Sequence, residues 1–116
     1  MKETLPLSGK GKKIYYELTN NLIKVKWGKL RFNISQNIVN NILKDFFIDS
    51  KTWYILGAGM TDPIKIGLGE YIQKNFKPLS PRHSSAIAAI MVKEQLLDYK
   101  GLKPILLKKS HPGTHC

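Results

Sequence analysis

The chain has 116 residues, 42% of them hydrophobic and 9% aromatic, which is enough apolar material for a packed core and argues against a disordered polymer. Nineteen Lys and Arg stand against eight Asp and Glu, a formal net charge of +11. That charge costs self-repulsion in a compact chain and points to an anionic partner: nucleic acid, an anionic membrane or an acidic protein. No apolar run reaches the roughly 18 residues of a membrane span, and Met1 to Pro6 lack the apolar stretch of a signal peptide. Cys116 is the sole cysteine, so no intrachain disulfide framework is possible and a cytoplasmic location is expected.

In chain order, residues 1–12 read as a flexible basic arm, with Leu5-Pro6, Gly9 and Gly11 beside Lys10, Lys12 and Lys13. Residues 13–109 are expected to form a single α+β domain, and residues 110–116 a disordered tail.

Three runs then alternate with period two. Ile14, Tyr16 and Leu18 alternate with Lys13, Tyr15 and Glu17. Ile23, Val25 and Trp27 alternate with Lys24 and Lys26. Leu30, Phe32 and Ile34 alternate with Lys29, Arg31 and Asn33. Tight turns at Asn20-Asn21 and at Trp27-Gly28 give an antiparallel three-stranded meander. In this register Leu18 lies opposite Ile23 and Tyr16 opposite Val25; Val25 pairs with Leu30 and Ile23 with Phe32. Every apolar residue then falls on one face. Trp27 is a poor residue for a turn that needs positive φ, so a longer loop or a bulge is also open there.

The other face would carry Lys13, Tyr15, Glu17, Lys24, Lys26, Lys29, Arg31 and Asn33. The same register sets Lys26 against Lys29 and Lys24 against Arg31. Like charges directly opposite each other destabilise a sheet, so they must be screened by water or used against an anion. Lys13, Lys24, Lys26, Lys29 and Arg31 are therefore candidates for phosphate contact, with Tyr15 and Asn33 candidates for bases or sugars.

Ser35 is positioned to cap a helix from Gln36 to about Ile48, whose stripe of Ile38, Ile42, Leu43 and Phe46 covers the meander. Thr52 to Leu56 reads as a short strand or extended segment. The glycine-rich stretch Gly57 to Gly69 lacks both the dinucleotide and the P-loop spacing, and reads as a structural loop. Gly69 to Phe76 suggests a short helix. Ser80 then caps a buried helix running to about Leu97 or Tyr99, with Gly101 as its stop. Pro104 to Leu107 reads as a late strand.

The first turn of the buried helix brings together Arg82, His83 and Ser84, a candidate anion site at a helix N-terminus. Catalytic motifs are lacking. Serines adjacent to His83 do not make a nucleophile–base pair, and Asp62, Glu70 and Lys74 do not have the spacing of a nuclease site. His111, His115 and Cys116 are too few for a closed zinc site. No catalytic residue, metal or cofactor is expected.

The expectation is thus an α+β fold: a three-stranded antiparallel meander packed by a helix, plus a buried central helix and a late strand. The expected partner is nucleic acid, DNA favoured over RNA, held by the cationic sheet face without catalysis in this chain and without a membrane partner. Two alternatives stand beside it. One is a small enzyme or ligand-binding protein that takes an anionic substrate at Arg82 and His83 near the Gly57–Gly69 loop. The other is an interaction subunit or homo-oligomer that binds an acidic protein.

Overall fold

The computed structural model describes residues 2–9, 11–56, 67–76, 79, 81–101 and 105–110. The chain is an α+β fold built on two antiparallel sheets. The first has the order β1-β2-β3-β4, with β1 at Lys2–Thr4, β2 at Ile14–Leu18, β3 at Leu22–Trp27 and β4 at Leu30–Ser35. The second has the order β5-β7-β6, with β5 at Tyr54–Ile55, β6 at Leu97–Lys100 and β7 at Leu106–Lys109. Helices α1 (Gln36–Asn41), α2 (Leu68–Asn75) and α3 (Pro81–Lys93) complete the fold.

Alternation explains the first sheet. Ile14, Tyr16, Ile23, Val25 and Ile34 are buried, whereas Tyr15, Lys24, Lys26, Arg31 and Asn33 are exposed. The first hairpin has the expected register, Leu18 opposite Ile23 and Tyr16 opposite Val25. Thr19 closes it, donating its backbone N–H and its hydroxyl to the Leu22 carbonyl at 2.9 and 2.8 Å.

The second hairpin differs from expectation. Its loop is Gly28-Lys29, not Trp27-Gly28, and Trp27 pairs with Leu30. Gly28 has φ of 61° and Lys29 has no positive φ, the pattern of a type II′ turn with glycine at its first central position. A Cβ at Gly28 would also come within 3.3 Å of the Lys12 side chain. The pairing therefore shifts by two residues: Val25 meets Phe32 and Ile23 meets Ile34. An even shift leaves every side chain on its face, which is why alternation could not detect it.

Another difference lies at the N-terminus. Lys2–Thr4, read from sequence as part of a flexible arm, pairs with β2 as a fourth strand, Lys2 opposite Tyr16 and Thr4 opposite Ile14. Tyr16 is wholly buried, and its hydroxyl donates to Glu94 Oε2 at 2.7 Å. Lys2 Nζ reaches the same carboxylate at 3.0 Å. The three groups tie β1 and β2 to the C-terminal end of α3.

Ser35 caps α1 as expected, its Oγ accepting from the Ile38 N–H at 3.2 Å. The helix does not stay α-helical to Ile48. It passes into a π-helical turn, Ile42–Phe46, where the Phe47 N–H bonds to the Ile42 carbonyl. Phe46 and Phe47 are both buried and join Tyr54, Tyr71 and Phe76 in a chain of ring contacts with centroids 4.9–5.8 Å apart.

The central helix is as apolar as its sequence implies: Ala86 to Met91 are each at most 2% exposed. It is shorter than expected, ending at Lys93. Gln95 adopts φ of 65°, its N–H bonding to the Val92 carbonyl while the Leu96 N–H bonds to Met91. This is a Schellman closure with Gln in the place glycine usually takes. Gly101, expected as the stop, instead lies just after β6 with φ of 77°. The late strand runs over Leu106–Lys109, two residues beyond the expected range. Ser110, assigned from sequence to the tail, is buried, and its N–H bonds to the Leu96 carbonyl at 3.0 Å.

Most of the Gly57–Gly69 stretch lies outside the described residues, as do Ser80, Pro104 and residues 111–116. Gly67 caps α2, which starts at Leu68, one residue before the expected helix. Among the described residues, no helix is long and apolar enough to cross a membrane.

Candidate nucleic-acid interface

Strand pairing sets the outer face of the first sheet. One row across the four strands reads Glu3, Tyr15, Lys26, Arg31, and the next reads Glu17, Lys24, Asn33. The revised register puts Lys26 against Arg31 and Lys24 against Asn33. The expected pairs Lys26–Lys29 and Lys24–Arg31 are not formed, and Lys29 sits in the turn at the end of the sheet. The cations nevertheless converge. Lys24, Lys26, Arg31 and Asn33, with Val25 and Phe32, line a shallow groove of about 330 Å³ over β3 and β4.

All seven residues expected to contact nucleic acid, Lys13, Tyr15, Lys24, Lys26, Lys29, Arg31 and Asn33, are solvent-exposed. They are not equivalent electrostatically. Lys13 pairs with Glu3 at 3.4 Å. Among the described residues, no ion pair engages Lys24, Lys26, Lys29 or Arg31. Two like charges about 5 Å apart across strands repel by roughly 0.8 kcal/mol in water, a cost the fold tolerates but that an anion would reverse. Tyr15 is 38% exposed beside Lys26, with its ring available at the margin of the cationic area.

The structure gives Arg82, His83 and Ser84 three different environments. Arg82 is exposed, His83 partly buried and Ser84 completely buried. The His83 ring meets Phe32 edge-on, with centroids 4.7 Å apart and an interplanar angle of 82°. Burial, and secondarily the charge of Arg82, lowers the His83 pKa below its ordinary value of 6.5. Both effects disfavour the charged imidazolium at this helix start.

Two features were not read from the sequence. The first is the Lys2–Glu94–Tyr16 group. Burial would raise the Glu94 pKa, but hydrogen bonds from Tyr16 and Lys2 and the charges of Lys2 and Lys93 outweigh it and hold the carboxyl below 4.5. Tyr16 shifts the opposite way, well above 10, through burial and its bond to that carboxylate. The second is on the other sheet, where Lys100 and Lys108 both approach the Trp53 ring. Each requires pairing across long sequence separations, and single-run patterning carries no signal of it.

A second hollow, about 660 Å³, lies between the segment from Glu3 to Gly9 and the C-terminal part of α3, with Leu5 and Tyr99 partly exposed at its walls. Among the described residues, no three His, Cys, Asp or Glu side chains gather as a metal site would require. Comparison of the chain with protein-family models, with curated proteins and with solved structures gives no match.

Proposed function

We propose that this protein binds nucleic acid, DNA in preference to RNA, through the outer face of β3 and β4, and that this chain performs no catalysis on it. The observation that carries the reading is the groove where Lys24, Lys26 and Arg31 stand together, none of them in an ion pair among the described residues even though Glu17 lies opposite Lys24 on the neighbouring strand. These cations would neutralise phosphates and release counterions, the dominant source of affinity in such complexes. Asn33 and Tyr15, flanking them, supply an amide and an aromatic ring for bases or sugars. A basic antiparallel ribbon has the dimensions of a duplex major groove, which supports DNA as the favoured partner.

We further infer a cytoplasmic protein, a reading supported by the single cysteine. An anionic small molecule held at Arg82 and His83 draws less support, because Ser84 is fully buried and His83 packs on Phe32.

The test is binding of the full chain to duplex DNA, RNA and heparin across a salt series. Duplex DNA should bind most tightly at low salt and weaken steeply as salt rises. Lys24→Glu with Arg31→Glu should lower that affinity steeply while the fold persists by circular dichroism. Unchanged affinity in this double variant, or no nucleic-acid binding at low salt, defeats the proposal.

A further inference from the structure

The second sheet carries its own basic and aromatic cluster. Lys100 Nζ lies 4.2 Å and Lys108 Nζ 4.7 Å from the centroid of the Trp53 ring. Strand pairing explains the gathering. Trp53 immediately precedes β5, which pairs with β7, and β7 pairs with β6. Lys108 lies opposite Asp98 and Lys100 opposite Leu106, so both lysines project from one face of the β6–β7 pair.

An aromatic face attracts one cation readily. A second cation on the same ring meets the repulsion of the first. Neither lysine has an ion-pair partner among the described residues. Asp98, the carboxylate on their face, accepts from Ser110 Oγ at 3.4 Å and pairs with neither. The cluster therefore holds two ammonium groups outside ion-pair distance of a carboxylate among the described residues, with Asp98 opposite Lys108, and a partly buried indole pre-positions them. Ordering long lysine side chains before binding reduces the entropy lost when an anion arrives.

We propose that Trp53, Lys100 and Lys108 form a second phosphate-contacting site, engaging the phosphodiester backbone of the same nucleic acid that the β3–β4 groove holds. This inference rests on the function proposed above. The indole positions the two ammonium groups, and the phosphates neutralise them.

The chain has two tryptophans, so Trp27→Phe leaves Trp53 as the only indole emitter. In that variant, a duplex DNA oligonucleotide should change Trp53 emission at saturation. In the otherwise unaltered chain, Lys100→Ala with Lys108→Ala should lower the steepness of log affinity against log salt by about 2, from two lost phosphate contacts. If DNA binds but Trp53 emission does not move and the steepness is unchanged, the second site is overturned and the β3–β4 groove stands. If the unaltered chain binds no nucleic acid, both fall. Millimolar inorganic phosphate is a separate arm. An emission change with phosphate and none with DNA overturns the nucleic-acid assignment in favour of a free-anion site.

Discussion

The two halves of the four-stranded sheet handle charge in opposite ways. Along β1 and β2, lysines meet carboxylates: Lys13 pairs with Glu3, and Lys2 with Glu94 beside the Tyr16 hydroxyl. Along β3 and β4, Lys24, Lys26 and Arg31 share a groove and form no ion pair among the described residues, Glu17 opposite Lys24 included. One half uses its charges to join strand to helix. The other leaves its charges to solvent, at a standing repulsive cost. That contrast locates the partner-facing surface more sharply than the net charge of +11, which says only that an anion is wanted.

The contrast can be broken from either side. The largest effect is expected from charge reversal at Lys24 and Arg31, which should lower DNA affinity by at least about 100-fold at moderate salt and leave the urea midpoint within the scatter of surface substitutions. Equilibrium binding and urea denaturation of the same variant separate the two effects.

The paired half should behave in the reverse manner. Tyr16→Phe removes a hydrogen bond to an ionised carboxylate and should cost about 1–2 kcal/mol in urea denaturation, with DNA affinity unchanged. Loss of DNA binding in this variant at full folding would show that the halves are not independent.

Acid titration gives a smaller signature with a definite sign. The folded chain holds the Glu94 pKa below 4.5, so near that pH the unfolded chain takes up the proton more readily. The Glu94 contribution is therefore fully present above the unfolded pKa and is lost as pH falls through the lower folded value. Stability measured from pH 6 downward, roughly the upper end of the carboxylate range, should fall more steeply than in Glu94→Gln. Equal acid limbs in the two proteins would contradict the network. The smallest effect belongs to Lys13→Ala. Its pair with Glu3 spans 3.4 Å between side chains that are each more than half exposed, so the change should cost less than about 1 kcal/mol.

Much of the first sheet was legible because most of its side chains alternate within each strand, Leu18 at the end of β2 and Leu22 at the start of β3 being the departures. The faces, the first hairpin, the Ser35 cap and the apolar central helix all follow from local rules. The second hairpin register was not legible from alternation, since a shift of two preserves both faces. Gly28 followed by Lys29 was the available signal, and giving Trp27 to the turn obscured it. β1 is three polar residues whose strand character comes only from pairing with β2. The end of α3 was hidden because Gln95 takes a conformation that usually calls for glycine, so Leu97 to Lys100 read as more helix. Of the candidate site, the seven exposed residues were identifiable by face. The split into paired and unpaired cations needed β1 and the corrected register. The Trp53 cluster needed the order β5-β7-β6, which joins segments separated by helices α2 and α3.

The most direct measurement is the salt dependence of duplex DNA binding for the unaltered chain and for Lys24→Ala, Lys26→Ala and Arg31→Ala combined. Each phosphate contact contributes about 0.9 to the steepness of log affinity against log salt. The triple variant should therefore be shallower by about 2.7, with its thermal transition preserved. Parallel salt plots for the two proteins would contradict assignment of the nucleic-acid contact to the β3–β4 groove.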